Sequence, residues 1–130
     1  MTAPLEGVTV LVVEDEYLVA ALIEDMLDSA GCVVRGPIAR LAEAVDAASR
    51  ETCDVAVLDI NLAGERIYPV AEILSRRKVP FVFVTGYSNG VLPDKFAECP
   101  RVRKPFKMMD LLGVLSGLVK PQGCGPAEVV

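Results

Sequence analysis

The stretch Cys53-Asp54-Val55-Ala56-Val57-Leu58-Asp59-Ile60-Asn61 is a short, valine-rich apolar run that carries a carboxylate, Asp59, out at its end. A run of this length bounded by polar residues reads as a strand buried on both faces, as in a parallel sheet covered by helices. Asp59 then lies at the strand's carboxyl end, the edge of open α/β sheets at which ligands bind. Taken alone, Asp59 is more readily read as a helix-capping or loop aspartate, because Asp is common in such turns.

Upstream, residues 8–13 form a second continuous apolar run that ends in Glu14, Asp15 and Glu16. From Tyr17 the pattern becomes helical, with Leu18, Val19, Leu22, Ile23, Met26 and Leu27 on an apolar stripe and Gly31 as the C-terminal stop. Residues 32–35 read as the second strand, followed by a Gly36-Pro37 turn. Leu41, Ala44, Val45 and Ala48 give the second helix its stripe. Downstream of Asp59, residues 61–65 read as a loop, and Val70, Ile73 and Leu74 line a third helix. That helix ends in Arg76-Arg77-Lys78, a cationic cap rather than a binding patch. Residues 80–85 form the fourth strand. The region from there to Pro100 carries glycines, prolines and little periodicity, so any helix in it is short or loose. Residues 101–103 make a brief fifth strand, residues 108–119 a last helix, and residues 120–130 a mobile tail. Met108, Leu111, Leu112, Leu115 and Leu118 can face the sheet, with Met109 and Val114 elsewhere on the circumference. A broad buried face and a partner or dimer surface both fit that distribution. Strands alternating with helices require parallel strands and right-handed crossovers, hence a three-layer α/β domain with no internal boundary over residues 1–130.

The chain is 130 residues long, enough for one real core. Its net charge of −5 argues against a broad nucleic-acid-binding surface. The N-terminus does not resemble a signal peptide, and no apolar run approaches the roughly 18 residues of a membrane span, so a cytoplasmic protein is expected. Cys32, Cys53, Cys99 and Cys124 form no C-x-x-C pair and the chain has no histidine, which argues against a zinc site and against histidine-dependent nucleophilic catalysis.

Parallel strands place Glu14 and Asp15, Asp59, Thr85 and Lys104 at one edge of the sheet. Carboxylates gathered there repel one another by about 4 kcal/mol per pair at 4 Å and an effective dielectric near 20. An all-oxygen donor set favours Mg²⁺, and Lys104 supplies a second positive charge. Such a site suits a phosphoryl group transferred onto a carboxylate, with Asp59 as acceptor and Thr85 donating a hydroxyl hydrogen bond.

At these residues the chain resembles the receiver domain of bacterial two-component response regulators, over about residues 7–119. The resemblance implies the flavodoxin-like (βα)5 fold with sheet order 2-1-3-4-5. It also implies roles: Asp59 as phosphorylated residue, Asp15 as direct and Glu14 as water-mediated Mg²⁺ ligand, and Asn61 as a ligand through its backbone carbonyl. Thr85, followed by Gly86, matches the switch position, and Lys104, in Lys-Pro-Phe, the phosphoryl-contacting lysine. Two departures stand out. Arg101 occupies the usual aromatic switch position, and the segment between Thr85 and Lys104 is a few residues short. Together with residues 80–87, ending in Thr85-Gly86-Tyr87, they resemble the subgroup named for its Phe-Ala-Thr-Gly-x-Tyr motif, whose fourth helix is short or flexible. Tyr87 and Arg101 thus mark a candidate signalling segment.

The function implied is a stand-alone response regulator. It takes a phosphoryl group from a sensor histidine kinase of the HWE or a related class, requires Mg²⁺, and acts by protein interaction or phosphorelay as a monomer or weak dimer. Beyond its own phosphorylation and dephosphorylation no enzymatic activity is expected. The alternative is a small aspartyl-phosphate-type phosphatase, against which stands Asn61 where that chemistry uses an aspartate as general acid.

Overall fold

The computed structural model describes residues 5–86 and 92–119. Its elements are β1 (Thr9–Val13), α1 (Tyr17–Ser29), β2 (Val33–Ile38), α2 (Leu41–Arg50), β3 (Val55–Asp59), a ribbon of β4 (Asn61–Leu62) and β5 (Glu65–Arg66), α3 (Tyr68–Arg76), β6 (Phe81–Thr85), a 3-10 turn (Asp94–Phe96), β7 (Arg101–Arg103) and α4 (Met108–Leu118). The main sheet is parallel in the order β2-β1-β3-β6-β7. With the ribbon set aside this is the expected 2-1-3-4-5 arrangement, the flavodoxin-like receiver fold.

Strand periodicity explains the three layers. Every residue of β3 is buried, and its side chains alternate between two cores. Ala56 and Leu58 join Leu11 and Val13 under α2 and α3. Val55 and Val57 join Val10 and Val12 under α1 and α4. Both faces of the central strands are therefore apolar, and only their carboxyl ends are left to carry charge.

Four local expectations need correction. First, β2 does not stop before Gly36-Pro37 but runs through to Ile38. Its register against β1 slips by one residue between Leu11↔Arg35 and Val13↔Ile38, a bulge on an edge strand, where a proline without an N–H is tolerated. Second, Leu18 and Leu22 are 78% and 47% exposed; Ala20, Ile23, Met26 and Leu27 form the buried side of α1. Third, residues 61–66 are not an open loop but an antiparallel ribbon whose turn holds Ala63 and Gly64 at φ 52° and 89°. Fourth, Met108 is exposed on α4 whereas Val114 packs against the core, and Leu111 and Leu115 are fully buried.

As expected, the described part of the segment before β7 holds only a short 3-10 turn, and it is anchored over residues 92–100. Leu92 and Phe96 are buried, and Phe96 lies 5.7 Å from the stacked Tyr68 ring and 5.8 Å from Phe83. Lys95 pairs with Glu72 at 2.9 Å. Of the basic cluster that ends α3, Arg76 stands in that helix's own last turn, as expected, whereas Arg77 donates to the carbonyls of Ala48 and Glu51 at the end of α2. Cys32 is buried and Cys53 packs at the margin of the core, as apolar side chains do. The tail at 120–130 lies outside the described residues.

Gly36 has φ +106°, and a Cβ there would lie 2.6 Å from the Val12 carbonyl oxygen and 2.9 Å from the Ile38 nitrogen. Gly64 also has positive φ, +89°, but open space around it. Gly36→Ala is therefore expected to cost about 2–4 kcal/mol and Gly64→Ala about 1 kcal/mol. Urea unfolding of both variants checks the difference, and equal costs would mean that the close approach at Gly36 is not a constraint.

Candidate functional site

β1 and β3 are neighbours in register, with Val13 opposite Leu58, so the residues that follow β1 come beside Asp59 at the end of β3. The Glu14 N–H donates to the Ile38 carbonyl at 2.9 Å, which ties the start of the acidic run to β2. Glu14 and Asp59 are the buried charged residues of the described structure, at 2% and 3% exposure. On the other side, the Lys104 N–H donates to the Thr85 carbonyl at 2.8 Å, joining the ends of β6 and β7.

These ends surround a cleft of about 350 Å³ lined by Asp15, Glu16, Asp59, Asn61, Gly86 and Lys104, with the ribbon turn closing one wall. One carboxylate oxygen from each of Glu14, Asp15 and Asp59 lies within 4.8 Å of the others. Two backbone N–H groups take up part of this negative charge: Ala63 donates to Asp15 Oδ2 at 3.0 Å, and Glu16 to Glu14 Oε2 at 3.1 Å. Asn61 Oδ1 accepts from the Gly64 N–H at 3.0 Å and so braces the turn; its backbone carbonyl is the oxygen left for a ligand role. Glu14 Oε1 is buried without a hydrogen-bond partner.

The Lys104 ammonium reaches Glu14 Oε2 at 3.3 Å and Asp59 Oδ2 at 3.7 Å, and it also pairs with Glu16. Burial opposes its charge, but the hydrogen bond to Glu16 and the charges of Asp59 and Glu14 outweigh burial and raise its pKa. For Asp59 the balance runs the other way: burial, then Glu14, push its pKa from 3.8 up to about 8 despite Lys104. A proton on Asp59 relieves the repulsion that a divalent cation could otherwise relieve. The donor set fits such an ion: three carboxylates, one with an unpartnered buried oxygen, and no nitrogen or sulfur ligand.

Of the expected site residues, Glu14, Asp15, Asp59, Asn61, Gly86 and Lys104 are brought together. Thr85 sits at the end of β6, half-buried and next to the cleft through its carbonyl bond to Lys104. Arg101 stands apart from the cleft: it begins β7, is exposed, and donates to the Ala97 carbonyl at 2.8 Å, closing the turn after Phe96. Tyr87 lies outside the described residues. Glu16 was not singled out in the sequence, although it stands in the same acidic run; only the placement of Lys104 reveals its contact. Burial pushes the thiols of Cys32, Cys53 and Cys99 up, which suits apolar packing rather than reactivity.

Comparison with known proteins agrees with this geometry. The chain is 29% identical over 107 residues to the transcriptional regulatory protein PdtaR of Mycobacterium tuberculosis, covering 79% of this chain and 52% of PdtaR; it thus spans about half the length of that relative. Its structure is similar to that of SdrG from Sphingomonas melonis Fr1, with TM-score 0.78 and 37% identity over 89% of this chain and 98% of the other. It is also similar to the receiver domain of sensor histidine kinase PA1611 from Pseudomonas aeruginosa PAO1, with TM-score 0.75 and 27% identity over 88% and 99% of the two chains; that domain holds a magnesium ion in its active-site cleft. Residues 10–115 match the family described as response regulator receiver domain, and the chain belongs to that family of two-component signalling domains.

Proposed function

We propose that this chain accepts a phosphoryl group on Asp59 from a sensor histidine kinase, in a Mg²⁺-dependent reaction, and passes the signal on through protein contacts. The observation that carries this reading is the meeting of Asp59 with Glu14, Asp15 and Lys104 at one strand edge, from positions up to 90 residues apart in the chain. Receiver domains take their phosphoryl group from histidine kinases, and the likeness to the Phe-Ala-Thr-Gly-x-Tyr subgroup supports a kinase of the HWE or a related class.

In the transfer, the P–N bond of a phosphohistidine breaks as a bond forms from Asp59 Oδ to phosphorus. The bonding electron pair stays on the nitrogen, and a ring already protonated on its other nitrogen leaves as neutral imidazole. Glu14, Asp15, Asp59 and the Asn61 carbonyl would hold the Mg²⁺. Its charge, when bound, favours the ionised form of Asp59 and stabilises the negative phosphoryl oxygens. Lys104 offers its ammonium from the opposite side, and the Thr85 hydroxyl, at the end of β6, would donate to a phosphoryl oxygen.

Beside the cleft runs an apolar groove of about 410 Å³, lined by Val19, Leu22, Pro105 and Phe106 and sharing Glu16 and Lys104 with the cleft. Leu18 stands exposed one helical turn before Leu22 on α1. An apolar surface so close to the acceptor supports docking of the phosphodonor there.

Intact mass after incubation with a small phosphodonor is expected to show one phosphate adduct that needs Mg²⁺, is labile to hydroxylamine and is missing from Asp59→Asn. An adduct that persists in Asp59→Asn would overturn the assignment of the acceptor. Leu18→Ser and Leu22→Ser are expected to leave this small-donor labelling intact while slowing transfer from an HWE-class kinase by at least about tenfold, the loss of one or two apolar anchors. Equal loss with both donors would argue against the groove as docking site.

Without a divalent cation, native Asp59 keeps its proton up to about pH 8, whereas an unfolded aspartate releases it near its ordinary value of 3.8. Between those values the native state binds more protons than the unfolded state, so stability falls as pH rises through this window and levels off above it. In chelator at pH 8, Asp59→Asn should melt several degrees above wild type, the difference closing toward pH 4 and shrinking on addition of Mg²⁺. Parallel Tm profiles for the two proteins would contradict the buried proton.

A further inference from the structure

We propose that Glu16 is a positioning residue that latches Lys104 at the mouth of the cleft and so limits how readily Asp59 takes up a phosphoryl group; this rests on the phosphoacceptor reading above. Glu16 is the N-cap residue of α1, yet its side chain makes no capping hydrogen bond. The helix-starting N–H of Glu16 is instead satisfied by Glu14. The Glu16 carboxylate is therefore free of structural duty, and its contact is the ion pair with the Lys104 ammonium.

The three partners of that ammonium are unequal. Glu16 Oε1 is within close hydrogen-bonding range and Glu14 Oε2 is at 3.3 Å, but Asp59 Oδ2 is at 3.7 Å, beyond hydrogen-bond length. The lysine main chain is fixed by its bond to the Thr85 carbonyl, so any approach to a phosphoryl group on Asp59 must come from a swing of the side chain. Lys104 has three N–H donors to share. Glu14 and Glu16 engage two of them, and the swing that brings the third to a phosphoryl oxygen on Asp59 draws the ammonium inward, away from Glu16, which lies outside the buried cluster with a side chain 59% exposed against 0% for Glu14. Glu16 thus competes with the phosphoryl group for the lysine. An exposed ion pair is a weak restraint, suited to slowing a step without preventing it.

The test is the rate of Asp59 labelling by phosphoramidate with saturating Mg²⁺ in wild type, Glu16→Gln and Glu16→Asp. In this reaction the P–N bond breaks as the Asp59 O–P bond forms, and ammonia leaves with the electron pair and a proton from solvent. Glu16→Gln removes the charge; Glu16→Asp keeps a charge at the rim but is one methylene too short for the contact. Both variants are expected to label about two- to fivefold faster than wild type, the range set by an exposed pair.

Acceleration by Gln alone would mean that rim charge repels the donor, and it would overturn the latch; so would wild-type rates in both variants. A wild type that takes no phosphoryl group would overturn the acceptor reading instead. The latch is then judged by the Lys104 ¹⁵Nζ resonance, which needs no phosphorylation. It is expected to shift in both variants, and an unmoved resonance would overturn the proposal.

Discussion

Four carboxylates, Glu14, Asp15, Glu16 and Asp59, face one ammonium, Lys104, at the carboxyl edge of the sheet. A single lysine cannot neutralise them, and at the separations found each unrelieved pair is costly. The protein distributes the burden among several groups. A proton stays on Asp59 until about pH 8, and the N–H groups of Ala63 and Glu16 serve Asp15 and Glu14. Glu14 Oε1 still lacks a partner. A site that is under-neutralised in this way has a standing affinity for positive charge, and the ionisation of its central carboxylate is tied to whether that charge arrives.

Such crowding survives only where the backbone is held from outside the cluster. Each site residue lies at or just beyond the last rung of a strand ladder: Asp59 pairs with Val84, Glu14 bonds to Ile38, and Lys104 bonds to Thr85. The bulge at Gly36 belongs to the same design. Its extra residue brings Ile38 opposite Val13, and from there the Ile38 carbonyl meets the Glu14 N–H. A glycine that looks like turn punctuation in the sequence is therefore a condition for placing a carboxylate. Val10, Val12, Val55 and Val57 on one face and Leu11, Val13, Ala56 and Leu58 on the other supply the burial that holds the edge together.

The parallel sense and the convergence of Glu14, Asp15, Asp59 and Lys104 were legible because each rests on a strong one-dimensional signal, a short apolar run ending in a charged group; the sheet order followed only from the family resemblance that those residues carry. Features set by partners across space were not. Leu18 and Leu22 fit the helical period as well as Ile23 does, and periodicity alone cannot say where a covering sheet ends. Ala47 is buried on α2 beside Ala44 and Ala48, but a small residue carries little hydrophobic signal. The ribbon at residues 61–66 has only two residues per strand, below the length at which alternation can be seen. Arg77 serves the end of a helix other than its own, and Glu16 became a site residue only when a lysine 88 positions away arrived beside it.

The exposed apolar residues on α1 carry a different constraint. A thirteen-residue helix needs one apolar face to dock, and Ala20, Ile23, Met26 and Leu27 provide it. Tyr17, Leu18 and Leu22 add nothing to that core and leave hydrophobic surface in water. On α4, Met109 is likewise exposed. The groove lined by Val19 and Leu22 shares Glu16 and Lys104 with the acidic cleft. Anything apolar that settles there removes water from around the Glu16–Lys104 pair, and desolvation shifts the balance between an ion pair's Coulombic gain and its solvation cost. Contact at the groove and charge balance in the cleft are thus physically linked through a single exposed glutamate.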